Sequence, residues 1–212
     1  RPDAWFCGAA PIANGYPMTF APEAVRFDLV PYFLYDERQS GLIPPGIDPA
    51  EHTPERVIAR MRDEGATCAK TYHETGFGPQ RGLPTPELGT IGRLVAAARS
   101  EGMPVLIHAN SLSAQQFALD SGVSIIAHGL WNGNAADDGN LSIEAVALLA
   151  EVSRRSVWYQ PTMQVLPGEA DLFDEEFLTN PRLLDVLPAA LIDWVKTDDG
   201  AWFRNQVGEG LG

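Results

Sequence analysis

The sequence predicts an α/β fold, specifically part of a (β/α)8 barrel of the TIM type, and three observations favour it. Short apolar runs alternate with helix-like stretches, a pattern typical of parallel sheets built through crossover helices. Neither a GxGxxG fingerprint nor a Walker A loop occurs, so nothing favours a doubly wound, nucleotide-binding sheet. A whole barrel takes about 250 residues and eight strands. The 212 residues here supply five candidate strands, which predicts a partial barrel.

The predicted strands are five short segments rich in apolar and β-branched residues. They cover residues 4–7, 67–72, 105–108, 123–127 and 157–160. The first is followed by a loop at residues 8–17 that is rich in Gly, Pro and Asn. Such a loop is a place where a ligand or another backbone can approach closely.

Four helical segments are predicted between these strands. They lie at residues 54–62, 88–98, 115–119 and 142–155. Thr53 is the predicted N-cap of the first, with Pro54 at the first helical position. The acid-rich tail is predicted to form amphipathic helices. We assign residues 1–166 to the central part of the barrel and residues 167–212 to a helical lid or insertion in the same domain.

The charge balance excludes two classes of partner. The chain has 28 acidic and 15 basic residues, a net charge of -13, whereas nucleic acids and anionic membranes attract basic surfaces. Every apolar run is far shorter than the roughly 20 residues needed to span a bilayer. We expect a soluble protein that forms homo-oligomers or stays monomeric, and the compartment stays open between the cytoplasm and export.

The two cysteines, Cys7 and Cys68, are far apart in the sequence and form no CxxC motif. Each lies in an apolar, strand-like segment. Free cysteine usually behaves as a small hydrophobic residue. We therefore interpret both as inert, buried thiols.

Three residues with chemical potential follow consecutive predicted strands. Lys70, His108 and His128 each fall at the carboxyl end of a strand, the end where barrels assemble their active sites. One such residue alone is more often structural. Because neighbouring strands lie roughly 5 Å apart, three of them can converge on one point, and a shared metal ion explains the set. Lys70 can join such a site only as a neutral amine or as a carbamate, since its ammonium repels a cation.

Three segments carry a resemblance to a known family. Residues 69–72 (AKTY), 105–109 (VLIHA) and 126–129 (IAHG) resemble the amidohydrolase superfamily, especially its imidazolonepropionase-like and prolidase-like members. Residues 117–123 resemble the segment between the two histidine strands of those proteins, and residues 157–162 resemble the strand that follows. The similarity covers roughly residues 4–166.

The resemblance implies a metal centre. In that family the lysine of strand four is often carbamylated by CO2 and bridges two divalent metal ions, and the histidines of strands five and six bind one of them. These roles fall on Lys70, His108 and His128, with zinc as the expected metal and one or two ions in the full-length protein. The family also uses a His-x-His pair and an Asp on its first and last strands. Neither the His-x-His pair nor the Asp is identified here. The resemblance therefore implies that this chain contains strands three to seven of the barrel and that the isolated chain is inactive.

Five further residues are candidates for contacts with substrate, because each lies in or just beyond a strand end near the three predicted ligands. They are His73, Asn110, Trp131, Gln160 and Thr162. Ordinary loop packing is the alternative for each. Glu74 and His73 are interpreted mainly as solvated residues of a Gly-rich loop, and His52 as structural.

The predicted function is hydrolysis of a C–N bond in an amide, lactam or dipeptide by metal-activated hydroxide. Two alternatives stay open. Lys70 can instead form a Schiff base in a desolvated pocket, which makes the protein a lyase. The chain can also be a catalytically inactive binding fragment, because the remaining ligands are not identified in it.

Overall fold

The computed structural model describes residues 4–76, 80–131, 140–162, 168, 171 and 173–211. These fall into two compact units. The first contains the described residues up to Gly76 and from Gln80 to Pro161, and the second contains those from Thr162 onward. The predicted ligands all belong to the first unit.

The first unit is built on a parallel sheet. Its five strands are hydrogen-bonded in the order in which they occur in the sequence. They are β1 (Cys7–Ala9), β2 (Cys68–Tyr72), β3 (Val105–His108), β4 (Ile125–Ala127) and β5 (Trp158–Gln160).

Helices follow each strand except the last in this unit. The α-helices are α1 (Arg26–Leu29), α2 (Pro54–Asp63), α3 (Leu88–Ser100), α4 (Leu112–Ser121) and α5 (Ile143–Arg154). Short 3-10 helices lie at Met18–Phe20, Glu37–Leu42 and Pro49–His52. Consecutive members of the series α2 to α5 pack side by side.

One face of the sheet packs against these helices. Ala69, Ile107 and Ile126 are fully buried there, in one cluster with Val57 of α2 and Leu94 of α3. A doubly wound sheet carries helices on both faces and reverses its strand order. A sequential parallel order with successive helices packed side by side is instead consistent with a partial TIM-barrel-like fold, as the sequence predicted.

The opposite face of the sheet carries the alternate residues of each strand. The register aligns Lys70 with Leu106 and aligns Tyr72 with His108. On β5 this face is open, since Trp158 is 76% exposed. Lys70 and His108 therefore share the sheet face opposite the helices.

The predicted start of α2 is confirmed, whereas α4 begins three residues before the predicted segment 115–119. The Thr53 hydroxyl accepts a hydrogen bond from the backbone N–H of Arg56 at 3.4 Å, and Pro54 occupies the first turn of α2. Ser111 caps α4 in the same way, and Gly122 ends that helix with a φ of 76°. That left-handed conformation suits glycine.

The first strand differs from its prediction. The sequence predicted a strand at residues 4–7 that ends at Gly8, whereas the structure places Gly8 in the middle of β1. The reason is close packing, because a Cβ at Gly8 would lie 2.6 Å from the sulfur of Met61 on α2. A glycine at this position lets α2 pack closely against the sheet, and it does not break the strand.

The interpretation of the cysteines as free thiols is wrong. Cys7 and Cys68 are register partners on β1 and β2, and they form a disulfide. Their Cα atoms are 4.4 Å apart, which is close enough for the bond. The pairing was missed because residues 61 positions apart become neighbours only once the two strands pair in parallel.

The second unit is helical in its described part. It contains α6 (Glu175–Leu178), a 3-10 helix (Pro181–Asp185), α7 (Ala189–Val195) and α8 (Asp198–Leu211). Among the described residues of this unit, the buried apolar side chains are Leu183, Ile192 and Val195. Its role as a lid or insertion stays a prediction. Among the described helices of both units, none is long and apolar enough to cross a membrane.

Candidate active site

The structure brings together the three predicted ligands. They lie on adjacent parallel strands, with Lys70 in β2, His108 at the end of β3 and His128 directly after β4. The ring centroids of His108 and His128 are 4.7 Å apart. Lys70 is near enough that its charge contributes to the lowered pKa of His128. Their roles as ligands stay predictions.

His108 is buried and has a carboxylate partner. Its Nε2 lies 3.0 Å from Oε2 of Glu74, and the side chains of both residues are almost fully buried. The other oxygen of Glu74 accepts a hydrogen bond from the backbone N–H of Gly76 at 2.7 Å. Burial alone would raise the pKa of Glu74, but hydrogen bonds from His108, Gly76 and Asn110 hold it below its usual value. The view of Glu74 as a solvated loop residue is therefore wrong.

His128 is held in an uncommon backbone conformation. Its φ is 77°, and its N–H donates to the carbonyl oxygen of Gln160 at 2.8 Å. Desolvation by burial, with smaller contributions from the charges of His108 and Lys70, lowers its pKa to about 4. The ring is therefore neutral near pH 7, which is the form that binds metal ions. The ring of Trp131 lies 4.9 Å away, centroid to centroid.

Lys70 is half-buried on β2. Desolvation lowers the pKa of its amine to about 8. No carboxylate in the described part of the chain forms an ion pair with it, and its Nζ lies 5.9 Å from the ring centroid of Tyr72. A lysine in this state carries a neutral, nucleophilic fraction of roughly a tenth at pH 7.

Two tyrosines that the sequence analysis did not single out line the same region. The ring of Tyr16 lies 4.8 Å from that of His108 and 5.5 Å from that of Tyr72. Burial is the main cause that raises the pKa of both phenols, that of Tyr72 to about 12, so both stay protonated. Tyr16 lies in the Gly- and Pro-rich loop after β1, and that loop was the available signal.

The residues predicted to contact substrate do not all reach this region. His73 turns to the helix side, where its ring lies 4.6 Å from that of Phe117 on α4. Asn110 is buried next to Glu74, and its carbonyl oxygen accepts from the N–H of Trp131 at 3.0 Å.

Gln160 and Thr162 lie at the end of the last strand and just beyond it. Gln160 ends β5, is exposed, and holds the backbone of His128 through its carbonyl oxygen. Thr162 belongs to the second unit and has a φ of 48°. Trp131 and Asn110 thus lie beside the histidines, whereas His73 packs elsewhere. Their contacts with substrate stay predictions.

Gln115 ties the two histidine strands together. It is fully buried on α4, and its amide nitrogen lies 3.0 Å from the carbonyl oxygen of Ala109 and 3.4 Å from that of His128. Its amide also pairs with the hydroxyl of Tyr159. A polar residue within the buried stripe of a helix was the signal in the sequence.

Replacing Gln115 with Leu should therefore lower the free energy of unfolding by about 2 kcal/mol, because buried acceptors lose their donor. It should also weaken metal binding by releasing the backbone of His128. Chemical unfolding and metal titration measure both effects. The matched control is Gln116→Leu on the exposed side of the same helix, which should change neither quantity by much. Equal effects of the two variants would contradict the assignment.

Comparison with known proteins gives matches by structure. No protein-family model and no curated protein matches the sequence. A. niger ochratoxinase matches with a TM-score of 0.53 and 15% sequence identity. The match covers 82% of this chain and 39% of the ochratoxinase chain. A solved amidohydrolase matches with a TM-score of 0.46 and 19% sequence identity. This match covers 96% of this chain and 50% of the amidohydrolase chain. A Xaa-Pro dipeptidase with bound methionine matches with a TM-score of 0.40 and 18% sequence identity. This match covers 96% of this chain and 53% of the dipeptidase chain.

Of these three proteins, ochratoxinase has the TM-score above 0.5, and its likeness to this chain concerns the fold alone. The likeness is consistent with the partial TIM-barrel-like fold that the sequence predicted. The chain spans about half or less of the length of each of these three proteins. These matches therefore establish no activity for this chain.

The donor set fits a metal ion in part. Among the described residues, no group of three His, Cys, Asp or Glu side chains could hold a metal ion. The site offers two adjacent imidazoles, one of them neutral near pH 7, and an amine whose pKa is about 8. A carbamate on Lys70 would add the anionic oxygen donors that a divalent ion prefers. The site thus supplies three donors only if the amine of Lys70 is deprotonated or carbamylated.

Proposed function

We propose that this chain contributes the central part of the active site of a metal-dependent hydrolase that cleaves a C–N bond. The observation that carries the proposal is that three side chains from adjacent parallel strands lie close together. His108 ends β3, His128 directly follows β4, and Lys70 lies two residues before the end of β2. His108 and His128 have adjacent rings, and Lys70 is a half-buried amine with no carboxylate partner among the described residues. The resemblance of the sequence to amidohydrolases and the likeness of the fold to that of ochratoxinase support it.

Lys70 would act first by taking up CO2. Its neutral amine attacks the carbon of CO2, a new N–C bond forms, and one proton leaves to solvent. The product is a carbamate with one negative charge. Burial favours this step because it lowers the pKa of the amine to about 8 and so increases its neutral fraction at neutral pH.

The metal ligands proposed in this chain are His108, His128 and carbamylated Lys70. A divalent ion bound there, such as zinc, supplies a water nucleophile near neutral pH and polarises the carbonyl of an amide, lactam or dipeptide. The phenols of Tyr16 and Tyr72, protonated at neutral pH, and the ring of Trp131 would form walls that exclude water from the substrate. These three donors are part of the ligand set that the family resemblance implies.

Chelation tests this function in the full-length protein. Hydrolysis of a panel of N-acyl amino acids, lactams and dipeptides should fall at least roughly 100-fold after a chelator removes the metal, and added zinc should restore it. His128→Ala should not be restored, because it lacks a ligand. The control His52→Gln alters a histidine that stacks on Phe33, and it should respond as the parent protein does. Activity that survives complete metal removal would contradict the proposal.

A second candidate is a lyase that forms a Schiff base on Lys70. The same lowered pKa and missing carboxylate partner among the described residues favour it. Borohydride distinguishes the two functions. It would trap a carbonyl substrate irreversibly on Lys70 of a Schiff-base enzyme in metal-free protein, and it should leave the proposed hydrolase unmodified.

A further inference from the structure

The buried carboxylate of Glu74 has a hydrogen-bond partner at each of its two oxygens. Glu74 is 4% exposed, although it follows β2 in a loop. One oxygen accepts from the N–H of Gly76 at 2.7 Å, and the other lies 3.0 Å from Nε2 of His108. Asn110, which is also buried, lies beside this carboxylate and contributes to its lowered pKa. Burying a carboxylate is costly unless it is paired in this way.

The pair constrains the imidazole of His108. A neutral imidazole carries one proton, so one ring nitrogen donates and the other accepts. The Glu74 carboxylate accepts the N–H of Gly76 and is therefore suited to accept a second N–H from Nε2. His108 is also fixed at its backbone, because its carbonyl oxygen accepts from the N–H of His73 at 2.9 Å. Both the ring and the main chain of His108 are thus held in place.

We propose that Glu74 is a positioning residue that holds His108 as the Nε2–H tautomer, so that Nδ1 carries the lone pair presented to the site. The proposal rests on the proposed function for the use of that lone pair. Carboxylate partners orient histidine ligands and raise their basicity, and their loss typically costs 10- to 100-fold in metal affinity or activity. Asn110 is the second member of this arrangement, because it contacts the same carboxylate.

The ring nitrogens of His108 provide the direct test. The full-length, metal-free protein is labelled with 15N-histidine, and the His108 signals are assigned by their loss in His108→Gln. Two-bond nitrogen–proton correlation spectra at pH 7.5 should show a protonated Nε2 and an unprotonated Nδ1. An Nδ1–H tautomer, or an imidazolium with both nitrogens protonated, would overturn the proposal.

The variant Glu74→Gln separates positioning from packing, since the two side chains have nearly the same shape. Its amide can donate to Nε2 while its oxygen keeps the bond to Gly76, so His108 should change to the Nδ1–H tautomer. Zinc affinity should fall 10- to 100-fold with little change in the unfolding midpoint. A spectrum in Glu74→Gln that is identical to that of the parent protein would count against the proposal.

A third variant keeps the test informative if Glu74→Gln fails to fold. Asn110→Ala leaves the Glu74–His108 pair intact and removes one donor to the carboxylate. It should retain the Nε2–H tautomer, and a switch of tautomer there would overturn the assignment of that role to Glu74. The two proposals fail in different ways. If the protein binds no zinc, the proposed function is wrong. The tautomer of His108 is measured in metal-free protein, so it still tests the role of Glu74.

Discussion

Replacing Lys70 with Ala should reduce kcat/KM for C–N hydrolysis by at least roughly 1,000-fold in the full-length protein, because the only source of the proposed carbamate ligand is removed. Short carboxylic acids such as acetate and propionate should restore part of the activity by placing a carboxylate in the space that the side chain leaves. Steady-state kinetics and bound zinc, measured against carboxylic acid concentration, check both statements.

Lys70→Arg is the matched control for this prediction. It keeps a cation of similar length but cannot form the carbamate, so it should be as inactive as Lys70→Ala and should not be rescued. Full activity in Lys70→Arg, or in Lys70→Ala without added acid, would show that hydrolysis does not need a carbamate on Lys70. An irreversible adduct trapped on Lys70 by borohydride would instead support the lyase.

Breaking the disulfide should have the largest effect on stability. Cys7 and Cys68 are separated by 61 positions, and cross-linking a loop of this size restricts the unfolded chain by about 4 kcal/mol. Chemical unfolding with and without a reducing agent should show a loss of that order. The double variant Cys7→Ala/Cys68→Ala should match the reduced protein and should not respond to the reagent.

A thiol assay tests whether Cys7 and Cys68 form the disulfide. Unfolding in the absence of reductant should expose no reactive thiol from these two residues. If two thiols per chain appeared, the interpretation of both cysteines as free would be correct after all. The expected loss of stability on reduction would then also be missing.

The helices and strands of the first unit were largely predictable because their signals are local. The cap at Thr53 and the apolar spacing of α3 depend only on neighbouring residues, and the structure confirms both. The shared position of Lys70, His108 and His128 also followed from local signals. Each residue lies near the end of an apolar run, and parallel strands bring such ends to one edge.

The remaining features depend on contacts between distant residues. Glu74 lies in a loop whose composition indicates solvent, and its burial follows only from the position of His108, 34 residues later. Gln115 bonds Tyr159 across 44 residues, and Cys7 pairs with Cys68 through the register of β1 and β2. A single sequence does not contain this register. The neighbouring positions of the three candidate residues could therefore be predicted from the sequence, but the hydrogen bonds around them could not.

The metal content of the full-length protein tests the central claim most directly. The protein is stripped with a chelator, refilled with zinc in the presence or absence of bicarbonate, and analysed by mass spectrometry for zinc per chain. We expect bound zinc that increases with bicarbonate in the parent protein, and no bicarbonate effect in Lys70→Ala. A parent protein that binds no zinc under either condition, or whose zinc content ignores bicarbonate, would contradict a metal centre built on Lys70, His108 and His128.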